Sequence, residues 1–109
     1  KKDQYYYSIA NKLKKEKKIN EEFEVMLNSL SLEDVIALKL ELANRAAGGY
    51  LYGLPLWYTM PNIIKEAVFK FAVTGARTKK EAMRFLGLNV TWYNRLYKQF
   101  NIDQYFKEQ

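Results

Sequence analysis

Thr91, Asn94, Arg95 and Lys98 recur at i, i+3, i+4 and i+7, the spacing that sets four side chains on one face of a helix. The chemistry they offer is recognition. An Arg guanidinium can fork onto a guanine edge, an Asn amide onto adenine, a Thr hydroxyl onto either, and a Lys ammonium can meet a phosphate. Arg77, Lys79, Lys80 and Arg84 form a second basic group just upstream, suited to a sugar-phosphate backbone. The opposite face of the same helix reads Tyr93, Leu96, Tyr97 and Phe100, an apolar stripe. Trp92 and Gln99 lie on one flank and Val90 on the other. The alternative reading is an ordinary amphipathic surface helix, which also carries a polar stripe.

Two helices and a turn must position these groups. Thr78 can cap the first helix, which is predicted to run to about Leu86. Gly87-Leu88-Asn89 makes the turn: glycine takes the positive φ of a helix exit, and Asn89 caps the second helix. That helix is predicted from about Val90 to Phe100. Helix, short turn with glycine, helix over Thr78–Phe100 is the helix-turn-helix pattern, whose second helix lies in the major groove.

Residues 62–103 resemble the C-terminal region of Fis-type proteins, the factor for inversion stimulation and the DNA-binding ends of NtrC-like activators. The matching residues are Gly75, Lys80-Glu81-Ala82, Leu86-Gly87-Leu88, Tyr97-Lys98-x-Phe100 and Asn101-Ile102. The family's Arg and Thr after Leu-Gly-Ile are here Val90 and Trp92. The resemblance implies a helix-turn-helix fold, double-stranded DNA as partner, and a homodimer formed through the helices preceding the motif. On that reading helices 32–47 and 61–74 and the aromatic segment between them are the candidate interface, with Tyr50, Tyr52 and Trp57 as anchors.

Composition narrows the function classes. A chain of 109 residues with 49% hydrophobic content suffices for one helical domain, 1–109. It has no cysteine and no histidine. That excludes disulfides, cysteine- or histidine-based metal sites, and every Ser-His or Cys-His nucleophile pair. No enzyme activity, cofactor or metal is expected. The net charge of +6 is segregated. Residues 1–18 hold seven Lys against Asp3 and Glu16, residues 19–44 one Lys against six acids, and residues 45–109 ten basic residues against four acids. Clustered positive charge suits a polyanion partner, though it serves solubility equally well. The basic start is not followed by an apolar run, so no secretory signal is predicted and the expected setting is the cytoplasm, that of the host if the protein is viral.

Before the motif, Lys1–Lys18 reads as a frayed basic arm or a helix with Tyr6, Ile9 and Leu13 on one side. Asn20 and Ser31 cap two predicted helices. The first carries the stripe Phe23, Met26, Leu27 and Leu30. The second, about 32–47, is apolar over so wide an arc that burial on more than one side is expected. From Ala46 to Ile64 nineteen residues carry no charge, but Gly48, Gly49, Gly53, Pro55 and Pro61 interrupt the run, which excludes a membrane span. It is read as an irregular aromatic loop packed on the core. Pro61 is placed at the first position of the next helix, with Ile63, Ile64, Ala67, Val68 and Phe71 buried. After Ile102, a tail containing Tyr105 and Phe106 extends the last helix or covers the core. An all-α fold of about six helices is expected.

These features support two function classes. One is a dimeric helix-turn-helix transcription regulator or DNA-architectural factor. The other is a protein-interaction module on the same scaffold, such as a polymerase-associated or phage accessory or assembly protein, with Val90 and Trp92 as apolar anchors.

Overall fold

A computed structural model describes residues 8–107, apart from the side chains of Tyr52 and Lys107. Every regular element among the described residues is helical: α1 (Ile9–Lys15), α2 (Glu21–Asn28), α3 (Leu32–Ala46), a 3-10 turn (Tyr50–Gly53), α4 (Leu56–Gly75), α5 (Lys79–Leu86), α6 (Val90–Gln99) and α7 (Ile102–Lys107). None is long and apolar enough to cross a membrane.

Local chemistry sets most of the boundaries. Asn20 Oδ1 accepts from the Phe23 N–H at 2.9 Å, and Ser31 Oγ from the Asp34 N–H at 3.0 Å. Each cap satisfies one of the four free N–H groups of its helix. Gly48 and Gly49 close α3, both with positive φ, and the Gly49 N–H returns to the Asn44 carbonyl at 2.9 Å. Asn44 Oδ1 also accepts from the Leu51 N–H, fastening the 3-10 turn to α3.

Helix α4 begins earlier than Pro61. Its first carbonyl partner is Pro55, which accepts from Tyr58 and Thr59 at 3.0 and 3.2 Å. Pro61 lies inside the helix, where it forgoes one backbone bond. The expected loop therefore becomes a 3-10 turn plus the first turns of α4.

The chain divides into two compact units: residues 19–61, and residues 1–18 with 62–109. The second unit holds the core: Phe69 and Ala72 of α4, Ala82 of α5, Tyr93 of α6, and Ile102 and Phe106 of α7. Phe69 sits among rings, 5.1 Å from Tyr93 and 5.5 Å from Phe100 between centroids. The inward face of α4 is therefore Phe69 and Ala72, not the predicted one. Ile63, Ile64, Ala67, Val68 and Phe71 are exposed. Residues 62–76 are apolar around most of the helix, and partners distant in sequence select the face.

The tail is structural. Asn101 takes a left-handed turn at φ 51°, which asparagine tolerates. It ends α6 and starts α7, whose Ile102 and Phe106 are wholly covered. Tyr97 donates its hydroxyl to Asp103 at 2.8 Å. Within the basic arm, Ile9–Lys15 is helical and Ser8 caps it. Lys12 of α1 is buried, with its ammonium 2.7 Å from Glu16 and 4.5 Å from the centre of the Tyr105 ring. Lys70 of α4 approaches that ring at 4.0 Å. Ile9 packs on the core; Tyr6 lies outside the described residues.

Residues 19–61 close no comparable core. Among their described side chains none is fully buried. The α2 stripe is exposed along its length, as are Leu32, Leu38 and Leu42 of α3, which corrects the expected burial of α3 on several sides. Tyr50, Trp57 and Tyr58 are 79%, 85% and 78% exposed, so the aromatic segment is not packed away as expected. Tyr52 lies outside the described side chains.

Candidate nucleic-acid interface

The α5–α6 pair is built by caps at both ends of its turn. Thr78 Oγ1 accepts from the Glu81 N–H at 3.1 Å, and Glu81 Oε1 reaches back to the Arg77 N–H at 2.7 Å, a variant of the capping box. Gly87 ends α5 at φ 72°, with the Leu88 N–H on the Met83 carbonyl at 3.0 Å, as in a Schellman closure. Asn89 Oδ1 then accepts from the Trp92 N–H at 2.9 Å. The predicted start, turn and restart all fall where the residues placed them.

Packing fixes how α6 is rotated. Tyr93 is buried against Phe69, and Leu96, Tyr97 and Phe100 pack on the same cluster. The opposite face is therefore open. Thr91, Asn94, Arg95 and Lys98 are all exposed, as are Arg77, Lys79, Lys80 and Arg84 before and along α5. The Lys79 ammonium lies 5.7 Å from the Tyr93 ring centre. Burial pushes the Tyr93 hydroxyl above its ordinary pKa, so it remains a neutral part of the wall.

Six exposed cations thus lie on two consecutive helices and the segment leading into them. Ion pairs among the described residues join Lys12 and Lys18 to Glu16, Arg45 to Glu41 and Lys70 to Glu66. None involves Arg77, Lys79, Lys80, Arg84, Arg95 or Lys98. Their charge is left to the solvent side, where a phosphate backbone can displace counterions.

Trp92, on the flank of α6, is 48% exposed, and the Arg95 guanidinium stands over its ring at 5.1 Å from the centroid. The i, i+3 spacing permits this pair, but a stripe analysis assigns each residue to its own face. Val90, also 48% exposed, lies at the same end of α6. Tyr50 and Trp57 belong to the other unit.

Among the described residues no group of His, Cys, Asp or Glu could hold a metal ion. The chain matches no protein-family model, no curated protein and no solved structure.

Proposed function

We propose that α5 and α6 form a duplex-DNA-binding element of helix-turn-helix type, in a cytoplasmic homodimer that regulates transcription or shapes DNA without enzymatic chemistry or a cofactor. The observation that carries this is the set of six exposed cations on α5, α6 and the residue before Thr78, all outside any described ion pair, with Thr91 and Asn94 exposed on α6 beside Arg95 and Lys98. In this reading Thr91, Asn94 and Arg95 face base edges. Lys98, Arg77, Lys79, Lys80 and Arg84 face phosphates. The Fis-type resemblance supports the same reading. A single such unit has a small footprint, and pairing supplies the second half-site.

Fluorescence anisotropy of a labelled random duplex, titrated at two salt concentrations, tests the proposal. Binding is expected to be salt-sensitive. Lys80→Ala reduces the salt slope by about one. Arg95→Ala costs roughly 1–3 kcal/mol on a selected sequence and relaxes its preference. No binding at low salt overturns the reading.

A second reading is supported by the exposure of Val90 and Trp92 at the start of α6. Here the scaffold binds another protein, and these two side chains are the anchors. Trp92→Ala then abolishes partner binding, while Lys80→Ala and Arg95→Ala leave it intact.

A further inference from the structure

The chain is electrically divided. Residues 19–61 hold two basic and six acidic residues, a net −4, and the other unit sixteen basic and six acidic, a net +10. Each unit also leaves an apolar helical face open. In the acidic unit it is the α2 stripe of Phe23, Met26, Leu27 and Leu30, each 37–63% exposed. In the basic unit it is Val68 and Phe71 of α4 with Phe85 of α5, each 40–61% exposed. The Phe71 and Phe85 rings meet edge to face at 5.9 Å and so form one surface from two helices.

We propose that these faces belong together across two copies of the chain. The α2 face of one copy docks on the α4–α5 face of its partner, and the partner's α2 face docks in return, giving a two-fold reciprocal pair. This rests on the reading that the chain forms a homodimer, and not on its binding DNA.

Charge and area select the arrangement. Pairing unlike units sets −4 against +10, whereas pairing like units sets −4 against −4 or +10 against +10. At roughly 200 Å² for a wholly exposed large apolar side chain, each face offers on the order of 300 Å². One such contact is too small for a specific complex. The reciprocal pair covers four faces, about 1,300 Å², within the ~1,200–2,000 Å² of a standard interface. A one-way contact leaves both unused faces open and continues into a chain of copies. Two-fold exchange closes it.

Sedimentation velocity of the full chain at about 50 and about 500 mM salt tests this, because screening weakens attraction between unlike units and relieves repulsion between like ones. The expected result is a dimer whose dissociation constant rises about ten-fold at the higher salt. Met26→Asp and Phe85→Asp alter exposed side chains, and circular dichroism checks that each variant remains folded. Each alone is expected to be monomeric at concentrations where the unaltered chain is paired. Mixing the two leaves one of the two contacts intact, the α2 face of one variant on the α4–α5 face of the other, so the mixture is expected to associate more tightly than either variant alone and more weakly than the unaltered chain. A dimer that tightens with salt, or variants whose mixture associates no better than either alone, overturns the arrangement and leaves the homodimer reading standing. A chain that stays monomeric at low salt at ~100 μM, above the affinity range of specific interfaces, overturns both.

Discussion

Phe69 and Phe71 are two residues apart on α4, and the structure assigns them opposite fates. Phe69 is 2% exposed and contacts the rings of Tyr93, Tyr97 and Phe100 at 5.1, 6.4 and 5.5 Å. Phe71 is 55% exposed, and its ring partner Phe85 is itself 61% exposed. Truncating Phe69 to Ala removes a covered side chain and opens a cavity among three rings, a loss of about 3–5 kcal/mol. Truncating Phe71 removes a ring already more than half in water, a loss of about 1 kcal/mol or less. For a domain of this size each kcal/mol moves Tm by about 4–8 °C. Phe69→Ala therefore lowers the midpoint by at least about 12 °C or unfolds the chain outright, and Phe71→Ala by a few degrees. Urea and thermal melts by far-UV circular dichroism measure both. Intrinsic fluorescence is a poorer probe because Trp57 and Trp92 are exposed in the folded chain. Melts at low protein concentration separate folding from pairing. Equal losses, or a larger loss for Phe71→Ala, refute the assigned rotation of α4 and with it the core.

Other outcomes test the turn, the acid response and the tail. Gly87→Ala forces a β-carbon into φ 72°; nothing lies within 4 Å of that carbon, so its cost is backbone strain of about 1 kcal/mol, read as a lower urea midpoint. Hydrogen bonds from Lys12 and then Lys18 hold the Glu16 carboxyl below its ordinary value of 4.5. Its contribution to stability is complete above that value and is lost as pH falls through the lower, folded-state value. Melts of Glu16→Gln across that range are expected to show a shallower acid decline. Ile102→Ala, at a fully covered position, costs about 2–5 kcal/mol, against less than about 0.5 kcal/mol for an alanine at exposed Gln99.

The readable parts of this fold are those whose causes are local. Thr78, Gly87 and Asn89 act within four residues of themselves, so the ends of α5 and α6 can be placed from the sequence. The same holds for Asn20 and Ser31. The rotation of α4 could not be placed, because Ile64, Val68 and Phe71 make as good a stripe as Phe69, Ala72 and Val73. The choice is made by Tyr93, Tyr97 and Phe100, whose rings meet Phe69 from more than twenty residues on. Lys12 misled for another reason: a lysine run suggests a solvated arm, yet a lysine stem can lie along apolar surface while its ammonium finds a carboxylate and a ring. In α6 the exposed face of Thr91, Asn94, Arg95 and Lys98 was legible from periodicity. The Arg95–Trp92 stack was not, since it crosses between the faces that periodicity separates.

The contact of Lys12 with the Tyr105 ring has a consequence for the order in which the protein is made. The two residues are separated by about ninety positions, yet both belong to the unit that contains the core. Residues 19–61 form a unit of their own between the two segments of that core-containing unit. On the ribosome α1 emerges before α7, and its partners in α7 follow about 5–20 s later at ordinary elongation rates. Throughout that interval the apolar side of α1 is without the helix that covers it, while all of residues 19–61 are synthesised. Closure of the core thus awaits the last helix described, and the late joining of distant segments is expected to set the folding rate.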